Sequence, residues 1–124
     1  MHEAAIAKNI LQFVNNRIAE TPYIEKATKV QVLIGELRNV DDELLKFEFD
    51  CLKTLYPGCS SCHLEIESIK AKAFCNKSKH LYHPESELKY RCTKCGGDIG
   101  NLVCGEELDV MKVTLKCLLN AFLT

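Results

Sequence analysis

The sequence predicts an α+β fold: a small three-stranded sheet with two helices on one face, plus an inserted cysteine-rich lobe. Three observations predict it. Apolar residues recur at helical spacing in two segments, 4–20 and 41–55. Alternating apolar residues mark short strands ending near Gly35, running through Leu64 and Ile66, and spanning Leu108 to Leu115. Between the last two strands, from about residue 70 to 105, the periodicity gives way to a stretch rich in Cys, Lys and His.

The first helix carries Ala7, Ile10, Leu11, Val14 and Ile18 on one face. Thr21-Pro22 stops it, because proline lacks the amide hydrogen and restricts the residue before it. Val30, Val32 and Ile34 alternate with Lys29, Gln31 and Leu33 in a strand ending at Gly35. Asp41 is a suitable N-cap for the second helix, and Leu44, Phe47, Cys51, Leu52 and Leu55 form its expected buried stripe. Pro57-Gly58 ends it. The final strand changes phase between Val110 and Met111, which marks a bulge. The strands before and after the lobe are expected to pair with each other. Residues 1–69 with 105–124 would then form one domain, and residues 70–104 the lobe, with no internal repeat.

Hydrophobic residues make up 47% and charged residues 27% of the 124, as in ordinary globular chains. No apolar run approaches the ~20 residues needed to cross a bilayer, and the apolar tail Leu118, Leu119, Ala121, Phe122, Leu123 is far shorter. The N-terminus lacks the features of a secretory signal, so a cytoplasmic location is expected. The net charge of −1 gives the whole chain no nucleic-acid footprint. Residues 70–104 nevertheless hold seven Lys or Arg against three acids, a local excess of +4. Eight cysteines in a chain without an export signal point to metal rather than to disulfides.

Cys92-Thr93-Lys94-Cys95-Gly96-Gly97 is a zinc-knuckle signature, in which two thiolates two residues apart reach one ion from a tight turn. Two further ligands are required. Cys59-Ser60-Ser61-Cys62 has the right spacing, but it runs directly into the strand His63-Leu64-Glu65-Ile66. With His63 it also matches a covalent haem-attachment pattern, a chemistry of oxidising compartments; two small buried thiols is the simpler reading. The other knuckle begins at Cys75. Its partner position is Ser78, a poor zinc ligand, but His80 and His83 lie just beyond. A site of Cys75, His80, Cys92 and Cys95 is chemically sound, with His83 as substitute for His80. Cys51, Cys104 and Cys117 read as small apolar residues.

The chain opens Met1-His2-Glu3. A free α-amine titrates near neutrality. With histidine second, the amine, the His2 amide nitrogen and the imidazole close adjacent five- and six-membered chelate rings. That planar nitrogen set suits Ni(II) or Cu(II) rather than zinc. Glu3 can add a carboxylate or its own amide nitrogen. An exposed terminal histidine without any ligand is the plain alternative.

Met1-His2-Glu3 before an apolar helix resembles the start of the hydrogenase nickel-incorporation proteins, the HypA family. Val32-Leu33-Ile34-Gly35-Glu36-Leu37, Phe47-Glu48-Phe49 and Leu64-Glu65-Ile66-Glu67 are similar to further family segments. Cys92-Thr93-Lys94-Cys95-Gly96 and Gly105-Glu106-Glu107-Leu108 complete the ordered set, over residues 1 to about 115. The resemblance implies a metallochaperone, not an enzyme. It would bind Ni(II) at Met1, His2 and Glu3 and deliver it to a hydrogenase large subunit, and some members also serve urease. The implied partner is a nickel-binding GTPase of the HypB type, and a homodimer is compatible. The family's structural Zn(II) ribbon uses two Cys-x-x-Cys pairs, and Cys75 falls at the first of those cysteines. Ser78 departs from the pattern, which leaves the fourth ligand open; some members carry a histidine two residues past the first pair, and His80 holds that place here. The rival reading from another class is a zinc-ribbon nucleic-acid-binding module, favoured by the basic lobe; a haem or redox protein using Cys59, Cys62 and His63 is a second.

Overall fold

The structure is a computed structural model, and it describes residues 2–118. Its elements in chain order are α1 (Glu3–Glu20), β1 (Ile24–Gly35), α2 (Asp42–Leu52), β2 (His63–Ile69), β3 (Lys72–Cys75), β4 (His80–Tyr82), β5 (Asn101–Cys104) and β6 (Leu108–Cys117). The expected α+β class with two helices holds. Met1 and most of the apolar tail, residues 119–124, lie outside the described residues.

The chain divides into two compact units. The first comprises 1–32, 40–67 and 109–124, the second 33–39 and 68–108. The first unit holds α1, α2 and a three-stranded sheet in the order β2-β1-β6. The expectation that the strands flanking the lobe pair with each other is therefore corrected: β1 lies between them. The central place suits the longest strand, whose Ala27, Val30, Val32 and Ile34 are all buried. Ile6, Ala7, Ile10, Leu11 and Val14 of α1 join Leu45, Phe49, Cys59, Cys62 and Leu64 among the buried apolar residues.

The second helix corrects another expectation. Its N-cap is Asp41, whose side chain accepts from the Leu44 N–H at 3.1 Å. The buried residues, however, are Leu45 and Phe49. Leu44, Phe47 and Leu55 are 41%, 62% and 72% exposed, and Cys51 is exposed as well. The segment carries two overlapping stripes at helical spacing, and the spacing alone cannot choose between them. The α-helix also ends at Leu52 and tightens into a 3-10 turn over Lys53–Leu55, which rotates Leu55 out of register with the residues before it. In β6 the alternation of half-buried and exposed residues runs through Met111, which is exposed, and fails at Lys112, so the phase change expected between Val110 and Met111 is corrected.

The second unit contains a second three-stranded sheet, in the order β4-β3-β5, which the sequence had not suggested. The segment 33–39 also belongs to this unit. The Gly35 N–H donates to the Glu107 carbonyl at 2.7 Å, and the Leu37 N–H to the Gly105 carbonyl at 2.8 Å. A Cβ added at Gly35 would lie 2.1 Å from the backbone of Gly105, so the two backbones touch with no room for a side chain. Gly105 itself has φ +123, a conformation that favours glycine.

Candidate metal centre

The antiparallel β3–β4 hairpin begins the site. Its register places Cys75 directly opposite His80. Directly opposed residues project to the same face, with Cβ atoms about 5 Å apart. The intervening turn is closed by the Lys79 N–H donating to the Cys75 carbonyl at 2.8 Å, and the Ser78 N–H points at the Cys75 sulfur at 3.4 Å. A second turn forms at Cys92, where the Gly96 N–H donates to the Cys92 carbonyl and the Cys92 N–H to the Gly97 carbonyl, both at 2.9 Å. Here the Lys94 N–H meets the Cys92 sulfur at 3.3 Å. Each turn thus presents a sulfur to its own backbone amides, which favours thiolate.

The two turns bring Cys75, Cys92 and Cys95 together, with their sulfurs all within 4.8 Å of one another; among the described residues this is the only such group of three or more His, Cys, Asp or Glu donors. Cys75 and Cys95 are 3.5 Å apart. A tetrahedral zinc site with Zn–S bonds of about 2.3 Å has sulfur–sulfur edges of about 3.7 Å. Three soft donors at this separation fit a zinc ion. The expected fourth ligand His80 is not in that group, although its Nε2 lies 4.0 Å from the Cys92 sulfur. Its Nδ1 is 2.8 Å from the Ser78 hydroxyl oxygen, which in turn is 3.3 Å from the Cys92 sulfur.

The electrostatics favour thiolate at Cys75 and Cys92, while at Cys95 the lowering by the Gly97 amide is outweighed by its neighbours Cys75 and Cys92 and by its burial, so that thiol is raised. Hydrogen bonds from Ser78, side chain first and then backbone, hold the Cys75 thiol down at about 6. Burial raises Cys92, but Ser78 and the amides of Cys95 and Lys94 more than offset this, and its value falls below the usual thiol range. Tyr82, buried beneath, is pushed up by desolvation and then by the neighbouring cysteines, and its hydroxyl donates to the Tyr90 carbonyl at 2.8 Å. Ala73, Cys75, Tyr82 and Cys92 form the lobe's small core.

The other candidate residues sit elsewhere. His83 Nε2 lies 2.7 and 3.0 Å from the two oxygens of Glu36, and the Glu36 carboxylate also accepts from the Ala71 N–H at 2.8 Å. Those bonds, Ala71 first, keep Glu36 below its ordinary value. Cys59 and Cys62 are fully buried, and burial raises both thiols, Cys62 to about 11. This matches inert core thiols and leaves no accessible sulfur for haem. Cys51 and Cys117 are exposed and Cys104 is intermediate, so the expected burial of Cys51 in the α2 stripe is corrected.

At the N-terminus, His2 is exposed and caps α1, its carbonyl accepting from the Ile6 N–H at 3.0 Å. Glu3 is buried, and its carboxylate accepts from the Asp41 N–H at 2.9 Å. Met1 lies outside the described residues. The sequence reading had missed three links: Glu3 to Asp41, Glu36 to His83, and Ser78 to His80. Only the last had a visible signal, the serine standing at a knuckle position.

The fold and the thiol cluster define a small metal-binding α+β protein. The family model described as hydrogenase/urease nickel incorporation, metallochaperone, HypA, matches residues 1–115. The chain belongs to that family. It is 30% identical to "Hydrogenase maturation factor HypA" of Caldanaerobacter subterraneus, over 78% of this chain and 82% of that one. It is 24% identical to "Guanidine hydrolase-activating protein A" of Synechocystis, over 91% and 93%. The solution structure of the nickel metallochaperone HypA from Helicobacter pylori shares the fold, with a TM-score of 0.65 and 20% identity over 94% of this chain and 99% of that one. Among the described residues, no helix is long and apolar enough to cross a membrane.

Proposed function

We propose that this protein acquires Ni(II) at Met1, His2 and Glu3 and delivers it to a hydrogenase large subunit during maturation in the cytoplasm, in concert with a HypB-type nickel-binding GTPase. A homodimer is compatible with this role. The observation that carries the reading is the family match over residues 1–115, which begins at the residues proposed to take the metal. The exposure of His2 supports it, because the imidazole is open to an incoming ion. The Glu3 carboxylate is engaged with Asp41. The planar set therefore draws on the α-amine and the His2 amide and imidazole, and Glu3 joins it when its carboxylate leaves Asp41 for the fourth corner.

In the second unit, Cys75, His80, Cys92 and Cys95 would hold a structural Zn(II). When bound, zinc would cross-link the two turns that carry the thiols. A second reading differs in the client alone: the Synechocystis relative is named for activating a guanidine hydrolase, so the nickel recipient here would be an enzyme of that kind.

The deciding experiment titrates untagged, zinc-loaded protein with nickel and counts both metals. His2→Ala is expected to abolish nickel uptake and to leave zinc bound. Nickel binding that survives this change, or survives an N-terminal fusion, overturns the N-terminal site.

A further inference from the structure

We infer that the Ser78 hydroxyl is the positioning group that makes His80 the fourth ligand of the lobe's metal. The inference rests on the zinc reading above and goes further, by giving a role to the residue that departs from the two-pair cysteine pattern.

Three contacts carry it. Ser78 Oγ is 2.8 Å from His80 Nδ1 and 3.3 Å from the Cys92 sulfur. His80 Nε2 is 4.0 Å from that same sulfur but stands outside the group whose donors all lie within 4.8 Å of one another, so the ring must move toward Cys75 and Cys95 to reach the edge of about 3.6 Å between sulfur and nitrogen donors on one tetrahedral ion. Cys75 faces His80 across the hairpin, so both side chains leave the same face.

With a metal on the thiolates, one direction of these hydrogen bonds leaves Nε2 free to ligate. A hydroxyl has one proton to give and lone pairs to receive. A metal-bound thiolate only accepts, so Ser78 gives its one proton to a sulfur of the cluster, Cys92 or Cys75. Its oxygen must then receive the hydrogen of His80 Nδ1. A neutral imidazole protonated at Nδ1 keeps its lone pair on Nε2, the nitrogen beside the thiol cluster. Ligating histidines are held in this way by a partner on the other ring nitrogen. The serine oxygen is itself a poor candidate for the fourth donor. As an alkoxide it would add another negative charge beside three thiolates, from a group that gives up its proton far less readily than a thiol. A cysteine at position 78 would supply a fourth thiolate and leave His80 redundant.

The test uses the full chain loaded with Zn(II) or Co(II), in wild type, Ser78→Ala, Ser78→Thr, Ser78→Cys and His80→Ala. Long-range 1H–15N spectra of the wild type should show His80 protonated at Nδ1, with Nε2 shifted by metal. Ser78→Ala should blur that tautomer and weaken zinc binding by about 10- to 100-fold in competition with a chelator, and Ser78→Thr, which keeps the hydroxyl, should restore both. Ser78→Cys should bind tightly with the His80 ring released. Wild-type affinity and an unchanged tautomer in Ser78→Ala would overturn the positioning role while leaving the zinc site standing. A Co(II) absorption spectrum indifferent to His80→Ala would instead overturn His80 as a ligand.

Discussion

The Glu3 carboxylate accepts a hydrogen bond from the Asp41 N–H at 2.9 Å, so a residue at the start of α1 satisfies the residue that caps α2. Helix starts carry unpaired amides and a partial positive charge, and a buried carboxylate is well suited to both. The link runs between residues 38 apart in sequence. It fastens the second helix to the same short segment that is proposed to hold nickel.

That bond makes stability sensitive to acid. The Asp41 N–H, ahead of smaller contributions, lowers Glu3 below its ordinary value of 4.5. A depressed carboxyl contributes its stabilisation above the unfolded value and loses it as pH falls through the folded one. Glu3→Gln should therefore lower the urea midpoint at pH 7 and flatten its decline below about pH 4.5. A midpoint profile parallel to wild type would show that Glu3 contributes nothing to the acid transition.

The two apolar stripes of α2 should separate cleanly on substitution. Phe49→Ala, in the buried seam, should cost about 3–5 kcal/mol. Phe47→Ala, on the exposed face, should stay within about 0.5 kcal/mol of wild type. Urea unfolding followed by helical circular dichroism distinguishes them; equal losses would mean that Phe47 is covered in solution.

In zinc-free protein, thiolate absorbance near 240 nm should report one cysteine titrating at about 6, Cys75. Ser78→Ala should move that midpoint upward, since the Ser78 side chain is its leading cause. A midpoint near 9 in the wild type would contradict the hydrogen bonding around Cys75.

Gly35→Ala should be among the more damaging single substitutions in the second unit. The new Cβ meets the backbone of Gly105, which cannot swing aside as a side chain can. A loss toward the upper end of about 1–3 kcal/mol is expected, with weakened amide protection at Gly35 and Leu37 by hydrogen exchange. Unchanged protection at both amides would mean that the two segments do not meet.

Much of the first unit was legible because its signals are local. The spacing of Ile10, Leu11 and Val14 announces α1, and Asp41 announces its own cap. The α2 stripe was not, because Leu44-Phe47-Cys51 and Leu45-Phe49-Leu52 both satisfy helical spacing and only tertiary packing selects one. Strand order failed for a related reason: pairing is a long-range choice, and the central strand β1 is the one with buried residues from Ala27 through Gly35. At the candidate site, Cys92-x-x-Cys95 is readable from spacing. The contact of Ser78 with His80 requires the hairpin register, which sequence does not display.

The glycine crossing also has a consequence for the order of assembly. Residues 33–39 gain their partners only when 105–107 arrive, and β1 gains its outer neighbour only with β6. At ribosomal speeds of about 5–20 residues per second, Cys75 emerges a matter of seconds before Glu107 completes the lobe. During that interval the thiols stand open to the medium. A metal ion captured then would hold the lobe's two turns together before β6 completes the sheet of the first unit.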